Sequence, residues 1–132
     1  MPARFSRLCL AIGIMTLASG LALVVAPGFA LNLLDVTNTS DTRYLFRIVG
    51  MFTGLFGGVL TAAVRSRAHE DVALIWCVLQ KTGAFVAMAT GFILDVFGPL
   101  GLVVAVVDGL SGILVSIHRQ SRQRQSHKQQ EA

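Results

Sequence analysis

LGLVVAVVDGLSGILVSI, residues 100–117, runs for eighteen residues with Asp108 as its only charged side chain. A stretch this long and apolar reads as a membrane-spanning helix, because about 20 residues at 1.5 Å each cross the hydrocarbon core. A carboxylate at mid-bilayer costs roughly 2.5–3.5 kcal/mol on insertion scales. Asp108 is therefore expected to face protein or water and to have a cationic partner on a neighbouring helix.

The rest of the chain has the same character. Of its 132 residues 54% are hydrophobic and 14% charged, against about 25% charged in a soluble domain. Mean hydropathy is +0.68, more apolar surface than so small a globule could bury. These values predict a single all-α, polytopic membrane domain. The lipid bilayer is its first partner, and no nucleic acid is expected. The formal charge of +4 collects between the apolar runs and at the C-terminal end, a pattern of membrane topology.

Three further apolar runs precede the opening one. Arg4 and Arg7 lead into residues 8–25. A cleaved signal peptide has the same order of parts, but its apolar region is normally 7–15 residues, so a retained first span is expected. Pro27-Gly28 ends it, 29–34 reads as a short interfacial segment, and 35–42 (DVTNTSDT) as a polar loop containing an Asn38-Thr39-Ser40 sequon. The second span is placed at about 44–64, with Ser40 or Asp41 as its N-cap and Arg65 and Arg67 at its end. His69, Glu70 and Asp71 open a third span at 72–94, where carboxylates suit a helix N-terminus. After a tight turn at 95–99, Pro99 fits the first position of the fourth helix. The tail 119–132, RQSRQRQSHKQQEA, lacks apolar residues and is expected to be disordered or to lie on lipid headgroups.

Four spans put both termini on one side. That side receives Arg4, Arg7, Arg65, Arg67, Arg119, Arg122, Arg124 and Lys128, and the other only Arg43 and Arg47. The positive-inside rule makes the richer side cytoplasmic. The expectation is four transmembrane helices in an antiparallel bundle, both termini cytoplasmic. Cys9 and Cys77 then fall near the reducing side, where no disulfide forms.

Lipid gives helices no hydrophobic reason to associate, so small residues and polar contacts decide how they pack. The second span carries Gly50, Gly54, Gly58 and Ala62 at intervals of four. The third has Gly83, Ala87 and Gly91, the fourth Gly101, Ala105 and Gly109, and the first Ala18, Ala22 and Ala26 with Gly13 and Gly20 nearby. Such rows predict packing seams inside the bundle, or a glycine zipper toward a homo-oligomer or a partner helix.

Counted from the outer boundary at 1.5 Å per residue, Arg47 lies about 9 Å deep, Asp108 about 13 Å and Lys81 about 21 Å. The carboxylate sits between the two cations in height. The candidate intramembrane polar cluster is therefore Arg47, Gln80, Lys81 and Asp108, either pinning three helices or forming a functional site. Nothing indicates an enzyme. No His lies in a span, and no Ser, Cys or Thr has an evident base beside it. Ser111, one turn from Asp108, is expected to bond its own backbone. The Cys and His spacings suggest no metal or cofactor site.

The arrangement resembles the small four-helix bacterial membrane proteins called DoxX-like. The shared features are a proline and a short apolar stretch after the first span (27–34), then an arginine leading a glycine-rich second span (Arg47, Gly50, Gly54, Gly58). The resemblance covers most of the chain and implies a four-helix fold in a bacterial inner membrane, without a uniform activity. Two functions are compatible with these residues. One is an accessory or scaffold subunit packing against a larger membrane assembly. The alternative is a small oligomeric transporter or channel for an anionic or amphipathic solute, using Arg47, Asp108 and Lys81.

Overall fold

The computed structural model describes residues 2–66 and 70–130, and among these all regular structure is helical. Five helices follow in order: α1 (Pro2–Val25), α2 (Pro27–Leu33), α3 (Ser40–Ser66), α4 (Glu70–Ile93) and α5 (Pro99–Gln130). Four of them, α1, α3, α4 and α5, are long and apolar enough to cross a membrane. Arg67 and His69 lie outside the described residues.

The boundaries follow from local chemistry. Pro27 has no N–H to continue α1 and its ring would collide with the preceding turn, so the chain bends at Ala26 (φ −128°, ψ 57°) and restarts as α2. The interfacial stretch anticipated at 29–34 is this short helix. Helices α2 and α4 end alike: Asp35 (φ 57°) and Asp95 (φ 54°) take the left-handed conformation that stops a helix. The amides of Val36 and Val96 reach back to the carbonyls of Leu31 and Gly91 at 3.0 and 2.8 Å. Asp replaces the usual glycine there, a position its short polar side chain tolerates.

The N-cap of α3 is neither Ser40 nor Asp41 but Thr39. Its Oγ1 accepts the amide of Thr42 at 3.2 Å, while the Thr42 Oγ1 accepts the amide of Thr39 at 2.9 Å. This is a reciprocal capping box with threonine at both positions. Pro99 does open α5, as the sequence suggested.

The two loops at this end dock on each other. The Gly98 amide donates to the Leu34 carbonyl at 2.8 Å. A Cβ at Gly98 would come 2.9 Å from the Asp35 Cβ, so only glycine allows the approach.

The helices pair first as α1 with α3 and α4 with α5. Gly13 meets Gly57 and Thr61, and Gly20 meets Gly50 and Gly54, so numbers fall along α3 as they rise along α1. A Cβ at Gly20 would sit 2.6 Å from the Gly50 carbonyl oxygen, and one at Gly57 2.8 Å from that of Gly13. Backbones in such contact are what small residues permit when lipid offers no hydrophobic drive. The seam therefore uses Gly50, Gly54 and Gly57. Gly58, Ala62 and the row Ala18, Ala22 and Ala26 are not part of it: Gly58 has nothing within 4 Å of a Cβ position, and the alanines are exposed. Helices rotate about 100° per residue, so spacings of four and three keep to one face better than repeated fours.

The pairs join at the end opposite the docked loops. Cys9 (α1), Leu60 and Val64 (α3), Leu74 and Cys77 (α4) and Val115 (α5) form one buried cluster. The outside is apolar, with Val25 at 79% and Ile93 at 77% exposure. Water would not tolerate so continuous a hydrophobic exterior on a monomer.

The basic segment 119–130 continues α5 as helix to Gln130, where disorder was one of the two expectations. Gln and Arg are good helix formers and no Gly or Pro interrupts them, so the turn started in the apolar part propagates.

Candidate functional site

The polar centre of the bundle is one ion pair. Lys81 of α4 donates from Nζ to Oδ1 of Asp108 on α5 at 2.6 Å. The two side chains are only 8% and 17% exposed. Two glycines of α5 make room for the α4 side chains beside it. A Cβ at Gly112 would lie 3.3 Å from the Lys81 Cβ, and one at Gly109 3.1 Å from the Phe85 ring. Lys81 thus stands level with Gly112, and its stem extends about one turn, roughly 6 Å, along α5 to reach the carboxylate. Asp108 and Gly112 share a face at i, i+4, while Lys81 and Phe85 share one on α4.

The other members of the sequence-derived cluster lie elsewhere. Arg47 is exposed on α3 and makes no hydrogen bond or ion pair among the described residues. It belongs to the α1–α3 pair, whereas Asp108 faces α4, so similarity in depth did not bring the two together. Gln80 is half-buried beside Lys81, turned about 100° from it, and does not join the pair. The cluster is therefore electrically closed: one cation, one carboxylate, no positive excess.

The proposed packing glycines divide in the same way. Gly91 and Gly101 both receive Phe97, where a Cβ added at Gly101 would come 2.7 Å from the Phe97 Cβ, and Gly109 receives Phe85. Gly83 has nothing within 4 Å of a Cβ position.

Two polar features escaped the sequence reading. Asp71 at the start of α4 accepts from Arg119 (Nε 2.6 Å, Nη2 3.3 Å) and from Gln123 (3.3 Å), tying the helical extension of α5 back to the bundle. The signal was available, since both ends of the α4–α5 pair had been assigned to one side. His118, one residue beyond the apolar run 100–117, is 2% exposed. Its spacing of three from Val115 placed it on the buried face. Among the described residues no group of three or more His, Cys, Asp or Glu side chains is placed to hold a metal ion. Ser116 donates to the Gly112 carbonyl of its own helix at 2.9 Å.

Comparison of this chain with family models, with curated proteins and with solved structures finds no match in any of the three.

Proposed function

We propose that the chain is a non-enzymatic accessory or scaffold subunit of a bacterial inner membrane. Its four long helices form an antiparallel transmembrane bundle with both termini cytoplasmic, and it packs against a larger membrane-protein assembly. The observation that carries this reading is the closed Lys81–Asp108 pair, whose charges are spent on holding α4 to α5. Among the described residues the Lys81–Asp108 pair leaves no surplus charge for a solute, and Arg47 stands apart from it. Gly83, by contrast, lies open on the outer face of α4, with exposed Trp76, Leu79 and Ala87 around it. A small residue with no neighbour in its own chain leaves space for a partner helix to approach. The likeness of 27–34 and of Arg47–Gly50–Gly54–Gly58 to DoxX-like proteins supports the bacterial setting.

The test is purification in a gentle detergent. A stoichiometric larger membrane protein is expected to co-elute, and Gly83→Leu is expected to release it while the chain's own elution and helicity stay unchanged. A homodimer or a lone monomer from native membranes overturns the proposal. So does flux of an anionic solute in liposomes that Asp108→Asn abolishes without unfolding.

A further inference from the structure

We propose that the outward groove between α4 and α5 holds one acyl chain of an anionic phospholipid, whose phosphate is met at Gln120 and Arg124. The inference goes beyond the scaffold reading and shares with it only the premise that these helices cross a bilayer.

The groove has a volume of about 590 Å³ and is walled by Phe85 of α4 and by Gly109, Gly112, Ile113 and Ser116 of α5, ending at Gln120. Gly109 and Gly112 form part of its wall where α5 meets Phe85 and the Lys81 stem. Its one hydroxyl on α5 is already spent, since Ser116 bonds the Gly112 carbonyl. Thr82 adds a second hydroxyl on the α4 wall, and the rest of the lining is apolar until Gln120.

Length suits a lipid chain. Val106 to Gln120, the limits of the groove on α5, cover about 21 Å of helix axis. One leaflet of a hydrocarbon core about 30 Å thick is about 15 Å deep, so an acyl chain whose headgroup sits at Gln120 lies within the furrow along its whole length.

Charge decides which lipid. Arg124 lies one turn beyond Gln120 on the same face of α5, is exposed, and has no acidic partner among the described residues. The nearest described carboxylate on α4, Asp71, is taken by Arg119 and Gln123. The apolar furrow thus opens at its polar end onto an uncompensated cation at the level of the headgroups, where a basic side chain attracts anionic lipid.

Native mass spectrometry of the full chain in mild detergent tests this with phosphatidylglycerol and phosphatidylcholine of identical acyl chains. The wild type is expected to retain one phosphatidylglycerol about fivefold better than phosphatidylcholine, the factor one basic side chain at a lipid surface supplies. Arg124→Glu should abolish that preference. Ser116→Phe, which fills the furrow, should lower retention of both lipids at least tenfold. If that variant does not give monodisperse protein, Thr82→Phe fills the furrow from the exposed side of α4 and should do the same. Equal retention of the two lipids by the wild type overturns the proposal, as does undiminished retention by Thr82→Phe. A benzophenone side chain introduced at Ile113 should mark lipid in membranes, and capture of a protein segment there also overturns it. Gly83→Leu, which tests the scaffold reading, should leave lipid retention unchanged, so the two ideas fail separately.

Discussion

Replacing Asp108 by leucine keeps the volume and removes the one acceptor that the Lys81 ammonium has among the described residues, a group whose side chain is 8% exposed. Breaking a buried pair from one side costs about 3–5 kcal/mol, because the remaining charge is left in a low-dielectric site. Lys81 lies about 21 Å from the boundary near the docked loops, leaving about 9 Å of a 30 Å core on the other side. Its stem covers part of that distance by snorkelling, which moves the expected loss to the lower end, about 3 kcal/mol. Lys81→Met strands the carboxylate in the same way. Removing both charges replaces the pair with apolar side chains of similar size, and the Lys81→Met/Asp108→Leu protein should lie within about 1 kcal/mol of the parent or above it. Reversible unfolding in mixed detergent micelles of increasing SDS fraction, followed by helicity, measures all four proteins of the cycle. Two singles of about 3 kcal/mol and a double within about 1 kcal/mol of the parent imply a coupling energy of about 5 kcal/mol, above the usual range for residues in contact. A loss below about 1 kcal/mol for Asp108→Leu, or additive singles, refutes the view that this pair joins α4 to α5.

The α1–α3 seam predicts opposite outcomes at adjacent glycines. Gly57→Ala drives a methyl into the backbone of α1 and should cost about 1–3 kcal/mol in the same assay, whereas Gly58→Ala meets nothing and should gain about 0.5–1 kcal/mol from helix propensity. Topology is testable with single cysteines in a Cys9→Ala/Cys77→Ala background. An impermeant maleimide should label Thr37→Cys on intact cells and Ser126→Cys only after permeabilisation, and the reverse pattern inverts the orientation. In the wild type neither Cys9 nor Cys77 should react until the protein unfolds, since both are buried.

The helices themselves were legible because each is decided by local chemistry. Apolar runs of about 20 residues can satisfy their backbone in lipid only as helix, and Pro27 and Pro99 fall where helices must break or begin. The need of Asp108 for a cation was legible too, since an ionised group that deep has no solvent. Which cation answered was not: height along a helix follows from residue number, but the azimuth of one helix about another does not. Depth favoured Arg47, yet α1 occupies the glycine face of α3, and Lys81 reached Asp108 by lying along Gly112. The glycine seam shows the same division, with its residue types written in the sequence while the actual face, Gly50, Gly54 and Gly57, depended on which helix came to pack there. The chain by itself fixed where helices run and what each must bury, because those are energies of one segment against its solvent. Only the tertiary structure decided which faces meet, because that is a competition among segments far apart along the chain.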